Sequence, residues 1–189
     1  DEGFPTGKLV ITGNPFFDSF IEGITCKQEE LFRILFVSQP LAEAKKNGGL
    51  GLNYDEYSVL EDLADVFKLI PGKAQVVIRL HPREEAGKFD EIIKQNKIYS
   101  YDKIQNVKLS LSRSGLIIGM NSMVLIQAAL AQKRVISYQP SLQGNDILIT
   151  NKFNLSRLVT SREDIVKVLN DYLSDHESFK LTETVEGKR

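Results

Sequence analysis

The sequence is poor in the residues that build disulfides and metal sites. It contains one cysteine, Cys26, two histidines and no tryptophan. A single cysteine cannot close an internal disulfide, and no Cys/His spacing in the chain matches a zinc site. These absences argue against a disulfide scaffold and against a structural metal, and they fit a reducing compartment.

The sequence also lacks an excess of positive or negative charge, and it lacks long apolar runs. The 24 Lys and Arg residues are balanced by 25 Asp and Glu residues, so no strong field attracts nucleic acid or an anionic membrane. No apolar run approaches the roughly 18 residues of a membrane span, and no signal peptide with a basic start and an apolar middle is present. We therefore expect a cytoplasmic protein with no nucleic-acid partner and no membrane span.

Three common enzyme motifs are missing as well. GxxxxGK[ST] does not occur, which argues against a P-loop nucleotide hydrolase, and no GxGxxG follows a strand, which argues against a dinucleotide dehydrogenase. GxSxG is absent too, and the two histidines, His81 and His176, offer no convincing Ser/His/Asp arrangement.

What the chain has is a series of short apolar runs, rich in Val and Ile, with helical patterns between them. Such runs are typical of strands that are buried on both faces, hence of a parallel sheet. The predicted strands cover residues 8–13, 33–39, 74–81, 106–110, 115–120 and 134–139. The predicted helices cover residues 54–70, 83–96, 122–132 and 161–175. The pattern predicts a single α/β domain over residues 1–175, Rossmann-like, with three αβα layers and a mostly parallel sheet, followed by a flexible tail over 176–189.

Polar residues follow the predicted strands, at the edge where open parallel sheets bind ligands. In GMNS, Gly119 allows a ligand to approach the backbone, and Asn121 or Ser122 can bind phosphate or simply cap the next helix. In RLHPREE, His81 can donate to a phosphate and Arg83 can add charge, although a lone histidine is also often structural.

Two further corners have similar chemistry. Ser38 and Gln39 follow one strand in FVSQP, and Gly13 and Asn14 follow another in TGNPFFD. Each pair alone also fits an ordinary turn. Because all four corners are predicted at one edge of the sheet, we expect them to converge.

These motifs, in this order, resemble the carboxy-terminal, nucleotide-sugar-binding half of a GT-B glycosyltransferase. The resemblance covers roughly residues 8–173 and rests on VITGNPFFD, RILFVSQP, VVIRLHPRE and GLIIGMNSMVLIQAALAQKRVISYQP. It is strongest to enzymes with a His-Pro motif, namely the polysialyltransferase-like capsule enzymes and the CDP-glycerol glycerophosphotransferases. The resemblance implies the donor-binding domain of a glycosyltransferase that makes cell-surface polysaccharide.

The resemblance also implies residue roles. His81 would contact the donor phosphates and help the nucleotide to leave, and Asn121, Ser122 and Met123 would hold phosphate at a helix amino-terminus. Gln127 stands where related proteins often carry a Glu that binds the ribose, so this contact would be weaker or differently arranged. The implied ligand is a nucleotide or nucleotide sugar of the CMP, CDP or UDP type, with no obligatory metal or other cofactor.

A second half of the enzyme is missing from the sequence. GT-B enzymes act between two Rossmann-like domains, so the acceptor-binding domain would lie in the same longer chain or in another subunit. The sequence begins at Asp1 rather than Met and enters a strand pattern almost at once. We therefore expect a fragment of a longer enzyme, with absent or very weak activity when isolated.

Two other functions fit the same pattern. A nucleotide-sugar 2-epimerase shares the GT-B architecture but needs carboxylates for proton transfer, and no obvious acid lies around GMNS or SQP. A non-catalytic α/β module could instead bind a nucleotide or a phosphorylated partner, or only pair with another subunit.

Overall fold

The computed structural model describes residues 14–24, 33–48, 52–70 and 74–174. At their centre lies a six-stranded sheet in which every neighbouring pair of strands is parallel. The strands are β1 (Arg33–Val37), β2 (Gln75–Arg79), β3 (Tyr99–Tyr101), β4 (Leu116–Gly119), β5 (Arg134–Tyr138) and β6 (Arg157–Val159). Their spatial order is β3-β2-β1-β4-β5-β6. The predicted α/β class with a parallel sheet is therefore confirmed.

Both faces of the sheet are buried, because successive side chains of a strand point to opposite sides. In β1, Ile34 and Phe36 belong to one hydrophobic core, whereas Leu35 and Val37 belong to the other. The uninterrupted apolar runs that predicted the strands thus reflect burial on two faces.

Helices cover both of these faces. The described helices are α1 (Pro15–Ile21), α2 (Leu41–Lys46), α3 (Glu56–Leu69), α4 (Asp90–Gln95), α5 (Val107–Ser112), α6 (Met123–Leu130), α7 (Ile149–Lys152) and α8 (Arg162–Ser174). α3, α4 and α8 pack on the core that contains Ile34, and α1, α5 and α6 pack on the core that contains Leu35. This arrangement gives the three αβα layers. In the part of the chain that the structure describes, no helix is both long and apolar enough to cross a bilayer.

Three of the predicted helices begin at a side chain that caps their first turn. The carboxylate of Asp55 accepts a hydrogen bond from Ser58 N before α3, and Ser122 caps α6. At the start of α8, Ser161 Oγ accepts a hydrogen bond from Asp164 N (3.1 Å). Each cap gives a partner to a backbone N–H that the first helical turn leaves unpaired.

The strand predicted over 106–110 is wrong, because this segment forms most of α5. Leu109 is 45% exposed while Leu111 is fully buried, whereas side chains two residues apart in a strand would lie on the same face. Asn106 accepts a hydrogen bond from Leu109 N (3.1 Å) and so caps a helix instead. Local capping therefore decides the structure of this short run.

The helix predicted over 83–96 is shorter than expected. Only Asp90–Gln95 is helical, and the residues before it form turns. Gly87 adopts a φ of 85° within these turns, a conformation that glycine adopts without strain.

Some predictions fall outside the described residues. They are the strand over 8–13, Gly13, Cys26 and the tail over 176–189. The predicted domain limits stay predictions.

Candidate functional site

The order of the strands creates a switch point between β1 and β4. From β1 the chain continues to β2 and β3 on one side, whereas β4 to β6 lie on the other side. In open parallel sheets such a switch point leaves a crevice beyond the carboxyl ends of the strands, where ligands bind. Ser38 and Gln39 follow β1, and Asn121 and Ser122 lie just beyond β4, so these predicted site residues lie at the switch point.

Gln39 joins the corner after β1 to the corner after β4. Its Nε2 donates to Asn121 Oδ1 (2.8 Å), and its Oε1 accepts from the Asn121 backbone N–H (2.9 Å). The two residues are 82 positions apart in the sequence. These two corners meet, as the sequence predicted.

The corner after β2 meets the same edge through Glu84. Ser38 Oγ donates to Glu84 Oε1 (2.8 Å), and His81 N donates to Glu84 Oε2 (2.7 Å). The Glu84 backbone N–H donates in turn to the His81 carbonyl (2.9 Å), which closes a turn over residues 81–84. Three of the four predicted corners are therefore brought together.

A hydrogen bond fixes the tautomer of His81. Arg83 N donates to His81 Nδ1 (3.2 Å), so the neutral imidazole carries its proton on Nε2. His81 is half-buried and lines a cavity, where its Nε2–H can donate to an acceptor on a ligand.

The cavity beside His81 has a volume of about 350 Å³. It is lined by Gln39, Pro40, Leu41, Glu43, Ala44, Asn47, His81 and Arg83, so α2 forms one wall and the turn over 81–84 forms the other. A larger cavity of about 590 Å³ shares Pro40, Glu43 and Arg83 with it. The guanidinium of Arg83 makes no ion pair within the described residues, so its charge is available to an anion at this junction.

Two carboxylates and a lysine line the larger cavity, and the side chains of Glu56, Glu84 and Lys88 are only 0%, 1% and 13% exposed. Lys88 Nζ donates to Glu84 Oε1 (2.7 Å) and to Glu56 Oε1, and Glu56 Oε2 accepts from Ala42 N (2.9 Å). Burial by itself lowers the pKa of Lys88, but the hydrogen bonds to Glu56 and Glu84 outweigh burial and raise the pKa above its ordinary value. The lysine is therefore charged at neutral pH. We call Glu56, Lys88 and Glu84 the buried triad; it was not predicted from the sequence.

Ser122 acts as a helix cap. Its Oγ accepts a hydrogen bond from Val124 N (3.0 Å) at the start of α6. Capping, which the sequence left open beside phosphate binding, is thus what this hydroxyl does in the structure. Phosphate binding by Ser122 stays a prediction.

Gly119 is buried where β1, β4 and α6 come close together. A Cβ at this position would lie 3.1 Å from the Val37 carbonyl oxygen and 3.2 Å from Leu125 Cδ2. Close packing therefore explains why glycine occupies this position. A ligand contact at Gly119 stays a prediction.

A second polar network follows β5. Gln139 Oε1 accepts from Tyr54 Oη (2.7 Å), and Gln139 Nε2 donates to Asp146 Oδ1 (2.9 Å) and to Ser137 Oγ (2.8 Å). Burial, followed by the charge of Asp146, raises the pKa of Tyr54 to about 12, so this phenol is a proton donor at neutral pH. The sequence did contain a signal for Gln139, because it precedes a proline after a strand just as Gln39 does.

Asn14, Met123 and Gln127 are less closely connected to the site. Asn14 caps α1, which packs against α6. Met123 is 59% exposed at the first position of α6, and Gln127 is buried one turn later. Among the described residues, none of these three side chains hydrogen-bonds to the corners after β1, β2 or β4.

At the level of sequence, the chain matches neither a protein-family profile nor a curated protein. At the level of structure, it is similar to the C-terminal domain of a glycosyl transferase group 1 family protein, LpcC, from Francisella tularensis. The TM-score is 0.50 at 12% identity, and the similarity covers 85% of this chain and 90% of that domain.

Two longer proteins are similar at lower scores. The glycotransferase of kitacinnamycin has a TM-score of 0.48 at 13% identity, over 84% of this chain and 39% of that one. The wall teichoic acid polymerase TagF has a TM-score of 0.46 at 11% identity, over 88% of this chain and 40% of that one. This chain thus spans less than half the length of these two proteins.

The similarity to LpcC concerns the fold, since the sequences are only 12% identical. The chain therefore shares its fold with the C-terminal domain of that glycosyl transferase.

Proposed function

We propose that the chain is the donor-nucleotide-binding domain of a glycosyltransferase of cell-surface polysaccharide synthesis. The observation that carries the proposal is the meeting of three polar corners at the switch point of the sheet. Gln39 forms hydrogen bonds with Asn121 there. Glu84 accepts hydrogen bonds from the Ser38 hydroxyl and from His81 N. The glycosyltransferase-like fold supports the proposal.

The donors at this edge suit a departing nucleotide. His81 offers its Nε2–H, and Arg83 offers a guanidinium that makes no ion pair with any described residue. The backbone N–H groups after Ser122 lie at the positive end of α6. When a nucleoside monophosphate or diphosphate leaves a sugar, negative charge develops on its phosphate oxygens. Donors that are already in position stabilise this charge without an obligatory metal.

The sugar acceptor would bind to a partner domain. That domain would be supplied by the same longer chain or by another subunit, so this chain alone would transfer sugar weakly or not at all. Binding of the nucleotide needs only the residues at the switch point. Nucleotide binding is therefore the property to test in the isolated chain.

Thermal unfolding with nucleotides tests the proposal. A ligand at about 100 times its dissociation constant adds about 2.7 kcal/mol, which corresponds to about 5 to 10 °C in Tm for a domain of this size. We expect this shift with at least one of CMP, CDP, UDP, CMP-sialic acid and UDP-N-acetylglucosamine. His81→Ala and Arg83→Ala should reduce it strongly.

The control is Lys97→Ala, which removes an exposed cation just before β3, at the opposite edge of the sheet. This variant should keep the full shift of the wild type. The proposal is contradicted if no nucleotide shifts the wild type, or if His81→Ala responds as the wild type does.

A further inference from the structure

The buried triad connects the two walls of the smaller cavity. On one side, Glu56 Oε2 accepts from Ala42 N in α2 (2.9 Å). On the other side, Glu84 Oε2 accepts from His81 N (2.7 Å). Lys88 Nζ bonds both carboxylates, so α2 and the turn over 81–84 are joined through one ammonium group.

We propose that Glu84 is a positioning residue of the nucleotide site. It acts through His81, because it fixes the turn in which the imidazole presents its Nε2–H, and through Lys88 and Glu56 it fixes that turn relative to α2. The inference rests on the proposed function for the identity of the ligand. The orientation of His81, in contrast, is a property of the ligand-free protein.

The site requires a carboxylate at position 84. Three donors converge on its two oxygens: Ser38 Oγ and Lys88 Nζ on Oε1, and His81 N on Oε2. A glutamine has only one acceptor oxygen, and its other terminal group is an NH2 donor. This NH2 group would face one of the three donors, which would then lose its acceptor. Because the Glu84 side chain is only 1% exposed, leaving one of these donors without an acceptor is costly.

Loss of this acceptor is expected to change which nitrogen of the His81 ring carries the proton. The bond from His81 N to Glu84 Oε2 and the bond from Glu84 N to the His81 carbonyl together close the turn. The closed turn aims Arg83 N at His81 Nδ1, and this bond selects the tautomer with the proton on Nε2. When the turn opens, Nδ1 loses its donor and both tautomers become accessible.

Two matched variants test the inference, Glu84→Gln and Glu85→Gln. Glu85 is the exposed neighbour and lines only the larger cavity. Long-range proton–nitrogen NMR spectra of the ligand-free protein report which ring nitrogen is protonated, and His81→Ala assigns the signals because the chain has two histidines. We expect one tautomer, protonated on Nε2, in the wild type and in Glu85→Gln, and a mixture in Glu84→Gln.

Calorimetry gives the second readout, the nucleotide dissociation constant. A hydrogen bond to a charged ligand group is worth roughly ten- to a hundredfold in affinity, so Glu84→Gln, which misplaces the His81 donor, should weaken nucleotide binding by about that factor. Glu85→Gln should stay close to the wild type. A merely structural role for Glu84 would lower stability without changing the His81 tautomer.

The outcomes separate the inference from the proposed function. If Glu84→Gln folds and keeps the wild-type His81 spectrum, the inference is overturned, whatever happens to affinity. If the wild type binds no nucleotide, the proposed function fails, and the His81 spectrum alone decides the positioning role. Should Glu84→Gln not fold, Glu84→Asp keeps the charge but shortens the reach. A wild-type His81 spectrum in that variant also overturns the inference.

Discussion

Replacing Asp102 by alanine is expected to lower the free energy of unfolding by about 3 to 5 kcal/mol, the cost of leaving buried charges without their partner. Asp102 Oδ1 accepts from Arg33 Nη2 and Oδ2 from Arg79 Nη1, both at 2.9 Å. The carboxylate is fully buried, and the two arginine side chains are only 18% and 19% exposed. Water therefore has little access to these three charged groups.

The position of Asp102 in the fold makes its loss severe. Arg33 begins β1, Arg79 ends β2, and Asp102 directly follows β3, so one carboxylate joins three neighbouring strands. Asp102 also accepts hydrogen bonds from the Ser110 hydroxyl in α5 and from Ile104 N. The variant thus loosens one half of the sheet together with the helix that covers it.

Denaturant unfolding of Asp102→Ala measures this loss. The matched control is Asp65→Ala, which removes an aspartate from an exposed pair with Lys68 (2.9 Å) and should cause no comparable loss. A decrease below about 1 kcal/mol for Asp102→Ala would mean that the buried ion pairs do not hold the three strands together.

Replacing Lys88 by methionine is expected to have an effect of similar size, about 3 to 5 kcal/mol. Methionine fills much of the space of the lysine stem but cannot donate to Glu56 and Glu84, whose side chains are 0% and 1% exposed. Two buried carboxylates are then left beside each other without a cation. Their repulsion adds to the cost of desolvation.

The repulsion gives this prediction a second test. Lys88→Met combined with Glu84→Gln removes one of the two negative charges, so it should be more stable than Lys88→Met alone. Lys68→Met is the surface control, since Lys68 is 66% exposed in its pair with Asp65. Equal stability of Lys88→Met and Lys68→Met in denaturant unfolding would contradict the role of the buried triad.

The central strands could be predicted from the sequence because each is a run of consecutive apolar residues. β1, β2, β4 and β5 lie within predicted ranges. β3 and β6 were missed because they are only three residues long, with polar residues among them, as in Tyr99–Tyr101 and Arg157–Val159. Their pairing with longer neighbours, a non-local effect, makes them strands.

The site was only partly predictable for a similar reason. Parallel strands place their carboxyl ends at one edge, so the sequence alone could bring Gln39, His81 and Asn121 to the same side. It could not show that Gln39 bonds Asn121, since the two are 82 positions apart. Nor could it show that Glu56 and Lys88, 32 positions apart, share a buried ion pair, because charged residues are mostly exposed.

The most direct test of the proposed function is to locate the nucleotide on the fold. Amide NMR spectra of isotope-labelled protein, recorded with increasing concentrations of CMP, CDP and UDP, report which backbone groups the ligand affects. We predict that the largest changes occur over 38–41, 81–84 and 119–123, the corners that follow β1, β2 and β4. Changes centred on another surface, or none with any of the three nucleotides, would contradict a donor site at the switch point.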